Sequence, residues 1–379
     1  MKISFTGDLA CDNPLLKGAA IGDKYDFAPV FAQIKYLFKT SDYVVANLET
    51  TFPQSKKYNR RAYCYNSPDS FLRAAKEAGI NTYTIANNHC MDSGIEGIQR
   101  TITLLERENL SYAGCPGKDC ILTHDGHTVA ILAYTYGVND NGRRTADAES
   151  YVNLLQPIVH IPAKGIKKLI PIRIRRGLRK ALRTIKGQPT LKVSIDGLKE
   201  ADLDRSYLDR IKSDIKRAKK NADKVIVCAH MGGQFNLQIG EFSKYMGQFL
   251  IKSGADFVIG NHAHIVQQLE RRPAPVAYCL GGLSLSPSAQ YLIHDYHPEY
   301  SVILHLYLEQ EERLTFSIVK GVETKKGMLT VWPLHKLYES ETEEGKKRLR
   351  AEAVDIYNRF IGTKLDSKEF EIAEEYTIR

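Results

Sequence analysis

Short apolar runs along the chain alternate with segments whose apolar residues recur at helical spacing. "KISFTGD", "DYVVANLE", "INTYTIANN", "DKVIVCAH" and "ADFVIGNHAH" read as strands, apolar in the middle and polar at their C-terminal ends. Among them, "FAPVFAQIKYLFKT" and "SPDSFLRAAKEAG" have helical periodicity; the second opens on Ser-Pro and stops at a glycine. "IEGIQRTITLLEREN" repeats that periodicity, and Ser93 followed by Glu96 predicts a capping box at its start. Such alternation predicts an α/β sheet with crossover helices. After residue 300 the pattern changes to hairpin strands, "SVILHLYLEQEERLTFSIVKGVE" and "GMLTVWPL", followed by a charged helix from about 339 to 362.

Composition narrows the class. With 379 residues and 43% hydrophobic content the chain can bury a large core, and no apolar run reaches the length of a membrane span. "MKISFTGDLA" starts a strand at once, without the charged and apolar regions of a signal peptide. Seven cysteines at irregular spacing do not form a disulfide framework, and a reducing, cytoplasmic setting is expected. The net charge of +9 favours anionic partners without naming one.

The chemistry sits at the strand ends. Asp8, Glu49, Asn88, His89, His230, His262 and His264 all lie where an apolar strand gives way to a loop, the edge at which open α/β sheets bind ligands. Imidazole with carboxylate and no cysteine suits zinc, manganese or iron in an open site. One or two such ions are expected, two being the number that an in-line attack on phosphorus employs. Any one of these motifs alone is weak, and two histidines on a loop without a role are common; their recurrence at five strand ends carries the reading.

"FTGDLA", "ANLET", "ANNHCMDSGIEG", "AHMGGQF", "IGNHAHIVQ" and "AYCLGGLSLS" together resemble the successive motifs of the poly-gamma-glutamate capsule biosynthesis CapA family, within the calcineurin-like metallophosphoesterase superfamily. The resemblance runs from residue 1 to about 285. It implies a four-layer α/β/β/α sandwich of the metallophosphoesterase type, here with a C-terminal β-hairpin region and helix. It also implies that Asp8 and His264 hold one metal, that Asn88, His230 and His262 hold the other, that Glu49 bridges them, and that His89 protonates the leaving group. The organisation expected is one domain over 1–335 with a basic insertion at about 140–203, and a helix and tail over 336–379 packed on it.

Several positions depart from that pattern. Ala10 stands where the superfamily has a histidine, Met231 and Gln234 replace a tryptophan and a glutamate of CapA relatives, and Gly282 and Leu283 replace an amide and an aromatic. Cys11 and Cys90, close to Asp8 and His89, are expected to be packed thiols, with a thiolate ligand as the alternative. Residues 164–192 hold eleven Lys or Arg and no acid, with apolar residues at helical spacing interrupted at Pro171 and Gly177. That segment suits an anionic polymer or a membrane surface, or else a lid packed on the body. Nucleic acid is disfavoured, since no recognised module accompanies the charge. Arg60 and Arg61 follow Glu49 on a loop and are the candidate substrate-binding residues, their forks matching phosphate and carboxylate alike. The function expected is a metal-dependent hydrolase, a phosphoesterase acting on an anionic substrate of capsule or cell-surface polymer metabolism. The rival is a non-catalytic polyanion-binding factor for capsule polymer synthesis or export.

Overall fold

A computed structural model describes residues 1–55, 57–59, 64–139, 147–156, 196, 198–200, 203–309 and 311–378. Arg60 and Arg61, the segment 164–192 and most of the expected insertion lie outside the described residues. The strands are β1 (Lys2–Leu9), β2 (Ala20–Ile21), β3 (Lys24–Tyr25), β4 (Tyr43–Leu48), β5 (Thr82–Thr84), β6 (Ser111–Ala113), β7 (Cys120–His124), β8 (His127–Thr135), β9 (Lys224–His230), β10 (Phe257–Asn261), β11 (Leu269–Glu270), β12 (Val276–Ala277), β13 (Tyr300–Tyr307), β14 (Arg313–Glu323), β15 (Leu329–Pro333) and β16 (Tyr376–Thr377).

One sheet runs β15-β14-β13-β1-β4-β5-β6, with β16 added beside β14, and the other runs β11-β12-β10-β9-β8-β7. β1, β4, β5 and β6 are mutually parallel, as are β8, β9, β10 and β12. The sheets face one another across a shared apolar layer that includes Ile3, Phe5 and Val45 from the first and Ile131, Ile226 and Ile259 from the second. Alternation sends Val44, Ala46 and Leu48 to the opposite side of the first sheet, onto Phe31, Phe71 and Leu104 of the helical layer. The outer face of the second sheet, including Val225, Val227 and Val258, packs on Ile211, Phe242 and Met246. Four layers in the order α/β/β/α result, as expected.

Helices α1 (Asn13–Gly18), α2 (Ala28–Phe31), α3 (Lys35–Phe38), α4 (Asp69–Glu77) and α5 (Gly94–Arg107) belong to the first half of the chain. The single helix expected over "FAPVFAQIKYLFKT" is divided into α2 and α3, because the backbone tightens to three-residue hydrogen bonds at Ile34 and Leu37. No capping box forms at α5. Ser93 precedes the helix, but its hydroxyl pairs with the Thr51 hydroxyl at 2.7 Å, a tertiary partner that outcompetes the local cap. Helices α6 (Arg205–Ala218) and α7 (Glu241–Lys252) cover the second sheet. The charged C-terminal helix is α8 (Leu334–Glu339) followed by α9 (Glu343–Ile361), where Thr342 accepts from Gly345 N and Gly362 closes the end at φ 78°. Leu349, Ala353, Ile356 and Phe360 of α9 join the inter-sheet apolar cluster. No helix among the described residues is long and apolar enough to cross a membrane.

Candidate metal centre

Asp8 reaches the space between the sheets only because β1 is irregular. Ile3 and Phe5 face inward, so strict alternation would turn Asp8 outward; instead the pairing with β4 goes from Phe5↔Val45 to Asp8↔Asn47, three residues against two. That extra residue reverses the parity, and Leu9 points outward into the helical layer. Gly7 sits in the irregular stretch, where an added Cβ would meet the Gly281 carbonyl oxygen at 2.0 Å. Asn47 and His230 share the inward parity of Val45 and Cys228 on their own strands, and both meet Asp8 there. Beyond β10 the chain leaves the sheet, with His262 at φ 97° and His264 at φ 57°, left-handed values that L-residues avoid. The two imidazoles thereby turn back toward Glu49, which follows β4.

Glu49, His262 and His264 offer ligand atoms that all lie within 4.8 Å of one another, and all three residues are buried. Neither carboxylate oxygen of Glu49 has a hydrogen-bond partner among the described residues. Burial, with Asp8 and Asp92 nearby, pushes the Glu49 carboxyl well above its usual range. A buried carboxylate left without donors beside two imidazoles is a donor set that a divalent transition ion satisfies, so the residues present fit such an ion.

The other residues picked out by the sequence surround this group. Asp8 Oδ2 accepts from His262 N at 3.2 Å and lies 3.0 Å from His264 Nδ1, while Asp8 Oδ1 accepts from Asn47 Nδ2 at 2.7 Å. His230 Nε2 lies 2.7 Å from Asn88 Oδ1 and 3.6 Å from Glu49 Oε1. Burial, followed by the neighbouring histidines, lowers the His230 imidazole well below its usual range, which favours a neutral ring. His89 Nε2 stands 3.8 Å from Glu49 Oε1, and its Nδ1 is 2.5 Å from Asp92 Oδ2. Seven of the predicted residues therefore converge: Asp8, Glu49, Asn88, His89, His230, His262 and His264.

Other residues of the site escaped the sequence reading. Asn47 donates to Asp8, and its Oδ1 accepts from Thr84 Oγ1 and Asn87 Nδ2, so one amide ties β1, β4 and β5 together. Asp92, three residues after His89, was visible in "NNHCMD" as a possible partner. Tyr65 stacks on His89 with centroids 4.2 Å apart, and Tyr136 lies 4.7 Å from His262. Nothing local marks these aromatics, because their partners are far away in sequence.

The departures from the family pattern also have definite places. Ala10 is buried in an apolar cluster with Tyr65, Phe235, Ile265 and Leu285. Gln234 Nε2 lies 3.4 Å from His264 Nε2, and Met231 packs under α7. Gly282 bridges to Asp8, and Leu283 is buried among the helices of the first sheet. Cys11 and Cys90 are packed in apolar clusters, and burial raises both thiols.

The profile of a bacterial capsule synthesis protein family, PGA_cap, matches residues 2–284. The PGA biosynthesis protein CapA of Bacillus subtilis (strain 168) is 21% identical over 280 residues, covering 71% of this chain and 59% of that protein. The capsule biosynthesis protein CapA of Bacillus anthracis is 23% identical over 266 residues, covering 69% and 54%. The chain thus spans somewhat over half the length of these relatives. A Staphylococcus aureus crystal structure, provisionally named a 5'-nucleotidase and solved with alpha-ketoglutarate, aligns over 94% of this chain and 58% of that one, at 12% identity and a TM-score of 0.46.

Proposed function

The chain belongs to the bacterial capsule synthesis protein family PGA_cap, and from that premise we propose that it is a metal-dependent hydrolase, a phosphoesterase acting on an anionic substrate in capsule or cell-surface polymer metabolism. The observation that carries the reading is the buried Glu49 carboxylate, without a hydrogen-bond donor among the described residues, beside His262 and His264. In this reading Asp8 with His264 would hold one ion and Asn88, His230 and His262 a second, with Glu49 shared between the two positions. A divalent ion bound there supplies Lewis-acid charge to a phosphoryl oxygen and to the attacking water.

Hydrolysis joins a water oxygen to phosphorus and breaks the bond to the leaving oxygen, which takes the electron pair and needs a proton. In this reading His89 gives it; the support is that Asp92 occupies Nδ1 and leaves Nε2 on the side of Glu49. Burial of the whole group excludes bulk water and strengthens each charge interaction. Arg60 and Arg61 are the proposed clamps for the substrate's anionic groups, and the seven free cysteines support a reducing, cytoplasmic setting.

A second reading, a polyanion-binding factor without turnover, is favoured by Ala10 and its apolar surroundings and by the eleven cations of 164–192. Metal analysis of the purified protein with a panel of phosphoesters separates the two. The hydrolase reading expects bound transition metal and a turnover that His89→Ala lowers by about 100- to 10,000-fold. Polymer binding that survives His89→Ala in a protein with no turnover on any ester would establish the factor instead.

A further inference from the structure

The geometry around His89 points to Tyr65 as the positioning residue for that imidazole, an inference that rests on the hydrolase reading. Asp92 holds Nδ1 at 2.5 Å, but that contact grips one edge of the ring and leaves its tilt to the groups packed on its faces. The tilt matters, because it decides where Nε2 meets a leaving oxygen. Tyr65 acts on both members of the pair. Its backbone N–H donates to the same Asp92 Oδ2 at 2.5 Å, and its ring lies on the imidazole with centroids 4.2 Å apart and planes 24° apart.

Asn139 also meets the imidazole, its Nδ2 being 3.3 Å from Nδ1 and 3.4 Å from Nε2. An atom almost equidistant from both nitrogens cannot lie in the ring plane without striking the C–H between them. It therefore lies over a face, and the imidazole packs against both an aromatic ring and an amide.

Tyr65 is itself anchored. Its carbonyl accepts from Thr51 N at 3.2 Å and from Thr51 Oγ1 at 3.3 Å, just after Glu49, and its ring packs near Tyr291 with centroids 6.4 Å apart. The side chain is buried and belongs to the apolar cluster that includes Ala10. Misplacement of a proton donor by about 1 Å can cost on the order of 100-fold in rate. The ring acts through His89 and touches none of Glu49, His262 or His264 in the contacts described, so its loss is a loss of kcat with KM unchanged.

The experiment uses the full chain loaded with Mn(II), on the best ester of the panel. Tyr65→Leu keeps the backbone bond to Asp92 and removes the stack; kcat should fall about 10- to 100-fold with KM unchanged, and Tyr65→Phe should restore it. Tyr65→Leu in a His89→Ala background should cause no further loss. Proton NMR of the metal-free protein gives a readout independent of turnover, since the ring-current shift on the His89 C–H signals should vanish in the Leu variant and remain in the Phe variant. If the Leu variant does not fold, Tyr65→Met replaces it. A folded variant without the ring-current shift but with wild-type kcat overturns the inference, as does a Phe variant that fails to restore it. His89→Ala with undiminished turnover overturns instead the acid role on which the inference depends.

Discussion

Two clusters of histidine and glutamate occur among the described residues, and their surroundings are opposite. Glu49, His262 and His264 are buried between the sheets, and the Glu49 oxygens have no donor. His297, Glu299 and Glu352 are half-buried where α9 meets β13 and β14, and there the carboxylate is already served: Glu352 Oε2 accepts from Lys320 Nζ and from the Tyr300 hydroxyl, both at 2.5 Å. Residue type is the same in both. What separates them is compensation: a lysine neutralises one cluster and docks a helix, whereas the Glu49 oxygens of the other have no hydrogen-bond donor among the described residues, and burial disfavours their charge unless a cation is bound. Spacing and identity of ligand-type residues therefore do not single out a candidate metal centre; the unmet demand of a buried carboxylate does.

The largest effect that tests this contrast is on metal content. His262→Ala with His264→Ala should abolish bound transition metal in a protein that stays folded, and His297→Ala with Glu352→Ala should leave it unchanged; elemental analysis after desalting decides. At an ion concentration of about 100 times Kd, the wild type should gain about 2.7 kcal/mol of stability and the first variant nothing.

A second test concerns sign. In chelator, Glu352→Gln strands Lys320 and should cost about 2 kcal/mol in urea unfolding, whereas Glu49→Gln removes an uncompensated charge and should add about 1 kcal/mol. Equal signs would end the comparison.

Next in size is an inequality within the buried site. Ala10 offers no donor on the side of Asp8 and His264, so calorimetric titration of the metal-free protein should show two unequal sites, or one, separated by at least about 10-fold in affinity. Two equally tight sites would require a ligand that the apolar surroundings of Ala10 do not provide.

The smallest effects lie in pH dependence. Glu49 is raised from 4.5 in the folded metal-free protein, so the fold holds more protons than the unfolded chain above that pH, and the contribution of Glu49 to stability falls as pH rises. Glu49→Gln should remove this slope, and so should bound metal. His230 has the opposite sign, its lowered value costing stability as pH falls below 6.5. His297 is raised by its hydrogen bond to Glu299, so its contribution is full below 6.5 and fades as pH rises; His297→Gln should flatten that slope with or without metal. Melting curves of the variants against wild type across pH 4 to 8, in chelator and in Mn(II), separate the three.

Much of this was legible in the sequence because strand ends announce themselves. An apolar run that closes on Asp8, Glu49, His230 or His262 has a polar residue at the one place where a buried sheet opens; strands alternating with amphipathic helices give an α/β sheet, while the four layers were implied by the resemblance of the motifs to the metallophosphoesterase superfamily. What stayed hidden depends on contacts across the chain. Asn47 looks like an ordinary polar residue inside "ANLE" until β1 and β9 place Asp8 and His230 against it. Tyr65 and Asn139 meet His89 from segments 24 and 50 residues away. Ser93 was read as a local cap, and a hydroxyl 42 residues distant claims it.

The bulge in β1 divides that strand into two reading frames. Residues before Gly7 answer to the inter-sheet core, and those after it answer to the site, so the two halves can change under separate selection. Deleting a single residue there would repair the ladder, and regular alternation from Ile3 and Phe5 would still bring Asp8 opposite Asn47 on the inward side, so a shortened strand keeps the site. A regular pairing at full length would instead turn Asp8 to the helix-facing side, so the centre depends on the count of residues between Phe5 and Asp8.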